Sequence, residues 1–466
     1  MQIKKIILIN PSMKELYKGS KVEGSVAHYP PLNLLAIAGG LLEDGHEVKI
    51  LDLDLEEDIY KAIEKSVQDF NPDIVGITFA SALYTQCMNT INTIRKIKAN
   101  AIIIAGGAHA SSDPKSTLEN TDIDIAVMGE GDYTIPEIIK NELKDVKGIA
   151  YKNEKKEVII NLPRQQIQDL DKTPFPAFEL IDPNKYYVPL SYCKKNPCTP
   201  LETSRGCIYG CVYCNKSVFG KNFRAKSPQR IVEEIKRLIE LGYRDLHIID
   251  DMFTTDPLRV KEICKLMKEQ NIKIHWSCPN GIRVNSVEEE MLVYMKKAGC
   301  YRVSFGIESG SQKVLNEIKK GQTLDQVRNA VKLCRKVGIE TTGFFMFGLP
   351  GDTEETMQQT IDFAKELDLD IAKFNIMTPL PSTPIYEKWK GTYIKSAEAW
   401  DKFQFHKSND EVYNHPTLTW EQINNYYNKS YKEYYLRPKY LVRRIWKSII
   451  YGTVFSDAKI FLKVKW

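Results

Sequence analysis

Three closely spaced cysteines carry the most specific chemical signal in this sequence of 466 residues. Cys207, Cys211 and Cys214 form a CxxxCxxC pattern. Three thiolates can hold three irons of a four-iron cluster and leave the fourth iron open to a substrate or cofactor. Gly206 and Gly210 allow the backbone to wrap closely around such an inorganic core. A zinc site that lacks one ligand, or three free cysteines in a loop, are the alternatives.

The stretch 205–214, in which Tyr213 precedes the last cysteine, resembles the cluster loop of the radical S-adenosylmethionine (SAM) superfamily. The resemblance implies a 4Fe–4S cluster on Cys207, Cys211 and Cys214, with SAM chelated by the open iron and Tyr213 beside the bound cofactors. It also implies a small electron donor, such as flavodoxin or ferredoxin, and a 5′-deoxyadenosyl radical that abstracts hydrogen from an unactivated carbon.

Residues 1–150 alternate strand and helix signals. Apolar runs at 4–10 and 101–107 predict buried strands, and helical apolar spacing at 32–46 and 85–98 predicts helices between them. This alternation predicts a doubly wound parallel sheet, whose ligands bind beyond the carboxyl ends of the strands. No GxGxxG motif follows the first strand, so we do not expect a dinucleotide.

The order of these elements is similar to the cobalamin-binding domain found ahead of some radical SAM barrels. That family places a Ser/Thr-rich loop after the third strand and a Gly-Gly loop after the fourth, and the matching residues, expected to bind cobalamin, are Thr78, Ser81, Gly106 and Gly107. The first loop, 10–14, lacks the histidine of the DxHxxG pattern, so the resemblance implies cobalt without a histidine ligand. A flavodoxin-like domain that binds something else, or only packs, is the alternative. His109 is a lone loop histidine that we expect to have no functional role, and a contact with the cobalamin tail is the alternative.

Residues 151–199 read as a linker with a charged hairpin at 152–159 and a proline-rich, semi-rigid stretch at 169–183. Cys193 and Cys198 in this region are not at ligand spacing. Residues 200–385 then repeat strand and helix six times, which predicts the open, six-unit (β/α) barrel that the resemblance implies.

Loops that follow the predicted barrel strands carry the candidate SAM contacts, because active residues of such barrels lie there. The resemblance implies that Asp250 or Asp251 accepts from the SAM ammonium, and Arg283 pairs with its carboxylate. Glu308 and Ser309 are expected at the ribose or amino-acid end, and Gly348 at the adenine. A helix cap by the aspartates and a surface salt bridge of Arg283 are the alternatives.

The remaining segment, 386–466, is rich in tyrosine and tryptophan and basic at its end. Between Tyr431 and Trp466, nine Lys or Arg residues stand against two acidic ones, a net charge of +7. This composition suits peripheral contact with an anionic membrane, or a C-terminal helix packed on the barrel. We expect the whole segment to cap the barrel mouth.

Composition excludes several classes of protein. The net charge of +5 is too small to indicate a nucleic-acid partner, and ten cysteines are too few for a disulfide scaffold of this length. No apolar run is long enough to span a membrane. We therefore expect a cytoplasmic protein, with peripheral contact at the inner face of the membrane as the open question.

These signals together resemble the cobalamin-dependent radical SAM enzymes, in the subgroup that contains methyltransferases and the anaerobic magnesium-protoporphyrin ester cyclase. The resemblance implies methyl transfer from methylcobalamin to a carbon of a small substrate. Radical cyclisation, oxidation or ring rearrangement of a hydrophobic or tetrapyrrole-like substrate is the alternative. A cobalamin or redox sensor without turnover is the alternative from another class, and the intact cysteine motif argues against it.

Overall fold

A computed structural model describes residues 2–17, 26–395, 400–403, 405, 406, 408–454 and 458. Within these residues the strands form a seven-stranded sheet, a six-stranded sheet and a two-stranded hairpin. None of the helices in the described ranges has the length and apolar character needed to span a bilayer.

The N-terminal sheet has the doubly wound architecture that the sequence predicts. Its strands are β1 (Lys5–Asn10), β2 (Glu47–Asp52), β3 (Ile74–Thr78), β4 (Ile102–Gly106), β5 (Ile125–Val127), β6 (Ile149–Lys152) and β7 (Val158–Ile160). The order is β2-β1-β3-β4-β5-β6-β7, in which β1 to β5 are parallel. The predicted charged hairpin is β6 and β7, which extend this sheet with antiparallel pairing.

Helices cover both faces of this sheet, because apolar strands must be buried on both sides. They are α1 (Lys14–Tyr17), α2 (Leu32–Glu43), α3 (Ile59–Phe70), α4 (Tyr84–Ile97), α5 (Ala108–Ser112), α6 (Pro114–Glu119) and α7 (Thr134–Lys140). One core packs α3 and α4 on the strands, and another packs α2 and α7 on the opposite face.

The second sheet is the open barrel. Its strands are β8 (Cys198–Leu201), β11 (Asp245–Ile248), β12 (His275–Ile282), β13 (Cys300–Glu308), β14 (Glu340–Phe347) and β15 (Ile371–Ile376), and a hairpin of β9 (Ser204–Arg205) and β10 (Arg224–Ala225) follows β8. All six are parallel in the order β8-β11-β12-β13-β14-β15. Each strand thus lies beside the next in the chain, and β8 and β15 are the two edges.

Amphipathic helices cover the outside of the barrel. They are α8 (Pro228–Glu240), α9 (Pro257–Glu269), α10 (Glu289–Lys297), α11 (Gln312–Glu317), α12 (Leu324–Val337) and α13 (Glu354–Leu367). Local sequence fixes their ends: a capping box of Thr323 and Gln326 begins α12, and Gly338, at a φ of 76°, ends it.

The proline-rich linker lies between the two sheets. The Phe175 ring sits between the guanidinium groups of Arg230 and Arg237 of α8, at 3.4 and 3.5 Å from its centre. On the other side, a side chain at Gly39 of α2 would come within 2.1 Å of the Phe175 carbonyl oxygen. Phe175 of the linker therefore packs against both α2 and α8 and holds the two helices together.

The C-terminal segment is helical, with α14 (Pro384–Trp389), α15 (Trp420–Tyr435) and α16 (Pro438–Tyr451). Trp389 and Phe403 pack in one cluster with Tyr213 of the cysteine loop, so this part lies at the barrel mouth. The expectation that the whole segment caps the mouth is wrong for α16. That helix is paired with Asp368 and Asp370, which precede β15 at the opposite end of the strands.

Candidate active site

The cysteine loop is held by the hairpin of β9 and β10, which pair antiparallel. Gly206 at its base has a φ of 84°, and a Cβ there would lie 2.2 Å from the Asn222 carbonyl oxygen. Only glycine fits such a position. At Gly210 a Cβ would meet no atom within 4 Å, so the outer side of the loop is open.

Asp250 and Asp251 fix the strand that leads into this loop. The buried Asp250 carboxylate accepts from the Thr203 amide at 2.6 Å and from the hydroxyls of Thr203 and Ser204 at 2.5 and 2.6 Å. Asp251 accepts from the Gly206 amide at 3.1 Å. The helix-cap alternative is wrong, because Asp256 caps α9. Asp250 thus has both oxygens engaged by protein, while Asp251 is exposed beside the loop.

The three loop cysteines are free thiols, half-buried, and too widely spaced for a single zinc ion. Tetrahedral zinc, with Zn–S bonds of about 2.3 Å, needs its sulfurs within about 4 Å of one another. Among the described residues, the group whose ligand atoms all lie within 4.8 Å of one another is Cys198, Asp245 and His247, not the loop triad. The sulfurs of the triad therefore do not all lie at the spacing of a single zinc ion.

That buried group is a hydrogen-bonded network near the start of the barrel strands. Asp245 accepts from the Lys194 amide at 2.6 Å, and His247 lies between the hydroxyls of Tyr29 at 2.7 Å and Tyr301 at 3.1 Å. Its polar groups are therefore satisfied without a metal ion.

Lys216 stabilises the cysteine loop by hydrogen bonds to the loop's backbone. Its ammonium donates to the Cys207 carbonyl at 2.7 Å and to the Tyr209 carbonyl. Burial, with a smaller contribution from the neighbouring Cys211 and Cys207, raises the pKa of the Cys214 thiol to about 11, although the Lys216 charge opposes this shift. Thiolates at this position thus require a positive partner, which Lys216 or bound iron supplies.

Tyr213 lies against a buried ion pair. Lys320 donates to Glu308 Oε1 at 2.6 Å and to the Tyr213 hydroxyl at 3.2 Å. Burial, followed by the Glu308 charge, raises the pKa of Tyr213 well above its ordinary value. Glu308 has a φ of 67°, and a Cβ at Gly306 would lie 2.6 Å from Glu308 Oε1. The backbone is therefore shaped to bring Glu308 and Lys320 to the cysteine loop.

Arg283, which directly follows β12, also contacts the cysteine loop. Its guanidinium lies over the Tyr209 ring at 3.7 Å, and its Nη2 donates to the carbonyls of Lys320 and Gly321 at 2.6 and 2.9 Å. The surface salt-bridge alternative is wrong, because the side chain is buried. Within the described residues its Nε is buried without a partner. A buried unpaired N–H is costly, and an anionic ligand would satisfy it.

Ser309 and Gly348 are buried in packing contacts. The Ser309 hydroxyl lies 3.2 Å from the Thr360 hydroxyl and accepts from the Ser311 amide at 3.1 Å. A Cβ at Gly348 would lie 3.2 Å from Ile423 of α15. Gly348 therefore allows α15 to pack closely against the loop after β14.

A buried ion cluster joins the two sheets beside the cysteine loop. Arg205 donates to Glu130 at 2.9 Å, to both oxygens of Asp132 at 2.9 Å and to Glu202 at 2.7 Å. Arg224 donates to both oxygens of Glu130 at 2.8 Å. The loop after β5 is therefore attached to both strands of the cysteine hairpin.

A cavity of about 780 Å³ opens between the N-terminal sheet, the linker and the barrel. Thr78, Gly106 and Gly107 line it, as predicted for a ligand site, and Arg205 borders it on the barrel side. Gly107 has a φ of 103°, and a Cβ there would lie 3.1 Å from the Phe79 carbonyl oxygen. The volume falls within the range of cofactor sites, and the glycine lining gives a large ligand close access to the backbone.

Ser81 lies outside this lining. Its hydroxyl is 2.9 Å from His109 Nδ1. His109 is fully buried, with its ring 4.5 Å from Phe79 and 5.1 Å from Trp400 between centroids. Ser81 therefore positions His109, and His109 faces packed aromatic rings.

Comparison with known proteins matches this architecture. Residues 201–364 match the model of the radical SAM superfamily, and residues 24–139 match that of the B12 binding domain. A Pyrococcus horikoshii protein, named an uncharacterized methyltransferase, is 35% identical over 455 residues, 96% of each chain. The cytidylyl-2-hydroxyethylphosphonate methyltransferase of Streptomyces wedmorensis is 31% identical over 81% of this chain and 80% of its own.

The chain belongs to the cobalamin-dependent radical SAM enzymes. Two solved structures of that group share its fold. TsrM from Kitasatospora setae has a TM-score of 0.69 at 21% identity, covering 84% of this chain and 76% of its own. OxsB has a TM-score of 0.71 at 17% identity, covering 97% and 76%.

The cofactors of this radical SAM family are a 4Fe–4S cluster, SAM and cobalamin, and the observed donor sets fit them. Three spaced thiols suit the cluster, the unpaired Arg283 Nε suits the SAM carboxylate, and the glycine-lined cavity suits cobalamin.

Sequence reasoning missed three site residues of this radical SAM enzyme: Arg205, Lys216 and Lys320. Arg205 lies two residues before the first cysteine of the motif and Lys216 two residues after the last, so proximity alone was a usable signal. Lys320 stands in an ordinary Lys-Lys-Gly turn after α11, where nothing distinguishes it from a surface lysine.

Proposed function

We propose that this radical SAM enzyme transfers a methyl group to an unactivated carbon of a small molecule. Relatives named methyltransferases, at 35% and 31% identity over most of the chain, support this reaction. The observation that carries the proposal is the position of Arg205. This residue borders the cavity and also precedes the cysteine loop, so the expected methyl carrier and the expected radical source lie side by side.

When bound, the cluster and SAM supply a hydrogen-abstracting radical, and cobalamin carries the methyl group. The chain itself holds and orients these groups. Cys207, Cys211 and Cys214 would hold the cluster, while Arg283 and the Glu308–Lys320 pair would fix SAM beside it. Thr78, Gly106 and Gly107 would admit the cobalamin tail.

The substrate would meet an aromatic and basic surface on the concave face of the barrel. Lys373 of β15 lies 4.6 Å from the centre of the Tyr192 ring and 5.7 Å from that of Phe344. Its half-buried ammonium has aromatic neighbours on two sides, which suits a substrate with a polar or anionic group beside an apolar body. An electron donor such as flavodoxin or ferredoxin completes the proposed cytoplasmic system.

Radical cyclisation is the second candidate. The anaerobic magnesium-protoporphyrin IX monomethyl ester cyclase of Cereibacter sphaeroides is 25% identical over 82% of this chain, and the chain spans 63% of that protein. Cyclisation uses the same radical source but leaves no methyl group from SAM in the product.

The test incubates reduced, cobalamin-loaded enzyme with metabolite extracts and SAM labelled in its methyl group. Methyl transfer predicts 5′-deoxyadenosine together with a labelled product heavier than its precursor by one CH₂ unit. The Cys207→Ala variant, which loses a cluster ligand, should form neither. Formation of 5′-deoxyadenosine with no label in any product would reject methyl transfer and favour cyclisation or oxidation.

A further inference from the structure

Helix α16 carries an exposed apolar face. Val442, Ile445, Trp446, Ile449 and Ile450 are each between 59% and 70% exposed. Their spacing of three and four residues places them on one side of the helix. Single exposed apolar residues are ordinary, but five contiguous ones that include a tryptophan mark an interaction surface.

The opposite side of α16 is fixed to the barrel by charge. Arg443 lies 2.9 Å from Asp368, and Lys447 lies 2.5 Å from Asp370 and 3.1 Å from Glu340. The Tyr440 hydroxyl donates to the Asp370 carbonyl at 3.2 Å. The helix is therefore held in an orientation that turns the apolar face outward.

Carboxylates of the barrel engage part of the positive charge of this segment. Of nine basic residues between Tyr431 and Trp466, four pair with barrel carboxylates: Arg437, Lys439, Arg443 and Lys447. The sequence that follows, 455–466, holds three lysines and six large apolar residues against one aspartate. Apart from Ala458, these residues lie outside the described ranges. The apolar face thus continues in sequence into a basic, apolar end.

We propose that the apolar face of α16 binds the surface of an anionic lipid bilayer. A tryptophan and branched apolar residues beside lysines are the composition of interfacial helices. Each lysine near an anionic bilayer contributes about 1 kcal/mol at low salt. A second copy of the chain fits less well, because pairing would bring two basic segments together.

The position of α16 also orients the enzyme on the bilayer. Asp368 and Asp370 precede β15, and the cysteine loop lies beyond the other end of the parallel strands. A bilayer bound to α16 therefore leaves the barrel mouth facing water, so the bound enzyme draws its substrate from solution.

The test measures flotation of the full chain with vesicles of phosphatidylcholine alone or mixed with about one third phosphatidylglycerol. Binding is expected only with the anionic vesicles, and it should fall steeply as salt rises. The double variant Trp446→Glu, Ile449→Glu should lose at least about tenfold in binding. Leu258→Glu, which changes an equally exposed apolar residue on α9, is the matched control and should bind as the native chain does.

A second variant, with Lys459, Lys463 and Lys465 changed to glutamine, leaves the described helices intact and should weaken binding at low salt. Three outcomes would overturn the proposal. The first is that the native chain does not bind anionic vesicles. The second is that the double variant binds them as well as the native chain does. The third is that sedimentation shows a dimer of the native chain that the double variant does not form. Deletion of 455–466 that increases vesicle binding would also overturn it, because the end would then cover the apolar face.

Discussion

Arg205 and Asp132 form a two-point ion pair, with both guanidinium-to-carboxylate distances at 2.9 Å, across the junction of the two sheets. Arg205 is two residues from Cys207, and Asp132 follows the loop after β5 that lines the cavity. Both side chains are buried, so neither charge is screened by water. This pair, with the contacts of Arg205 and Arg224 to Glu130, therefore joins the cysteine loop to the expected cobalamin site.

Replacing Arg205 with methionine tests this junction. The change removes the guanidinium that Asp132 and Glu202 contact and leaves Glu130 paired with Arg224. Breaking a buried pair typically costs about 3–5 kcal/mol. We expect a loss of that size in the free energy of unfolding of the junction, measured by urea titration. The matched control is Arg328→Met, which removes an ion pair with Glu366 at the surface and should cost about 1 kcal/mol or less. Equal losses for the two variants would contradict the prediction.

Lys320→Met tests the pair beside Tyr213. Without its ammonium, Glu308 stays buried next to the cysteine loop with no cation, and the Tyr213 hydroxyl loses its donor. We expect at least about a tenfold loss in SAM affinity of the cluster-loaded enzyme, measured by equilibrium dialysis, with iron content unchanged.

The neighbouring residue provides the control for this change. Lys319 is exposed, so Lys319→Met should leave SAM affinity unchanged. A normal SAM affinity in Lys320→Met would show that the Glu308–Lys320 pair only stabilises the fold.

Gly107→Val tests the cavity. The valine would require a left-handed backbone and place its Cβ 3.1 Å from the Phe79 carbonyl oxygen at the cavity wall. We expect at least about a tenfold loss in cobalamin bound per protein, measured by absorption after desalting. Gly45→Val is the control, because Gly45 has a φ of 82°, its added Cβ would meet no atom within 4 Å, and it does not line the cavity. Equal cobalamin loss in both variants would indicate general backbone strain.

Periodicity predicted the strands and helices of both sheets well, because each is encoded by residues close in sequence. The cysteine triad was visible for the same reason. Arg205 and Asp132 are 73 residues apart, and their pairing depends on how the two sheets pack, which no local pattern encodes. Gly348 shows a different limit of prediction from sequence. A glycine motif indicates that another group comes close to the backbone, but the sequence does not say whether that group is a ligand or the Ile423 side chain. The net charge of +7 between Tyr431 and Trp466 follows from the sequence, but the pairing of α16 with Asp368 and Asp370 was not predictable from it.

His109 gives a prediction on pH. Burial among aromatic rings lowers the pKa of His109 to about 4, against an ordinary value of 6.5. Between these values the unfolded chain binds a proton that the folded chain does not, so the free energy of unfolding falls as the pH drops through this window. At pH 5 the loss from this residue is about 2 kcal/mol.

His109→Phe should remove this loss, because phenylalanine fills the same aromatic site and does not titrate. We expect its free energy of unfolding, from urea titrations at pH 7 and pH 5, to fall by about 2 kcal/mol less than that of the native chain. Ser81→Ala is the control: it removes the hydrogen bond to His109 Nδ1 but keeps the titrating ring, so its pH dependence should follow the native chain. An unchanged pH dependence in His109→Phe would mean that His109 reaches water in the folded state, since only a solvated ring keeps its ordinary pKa.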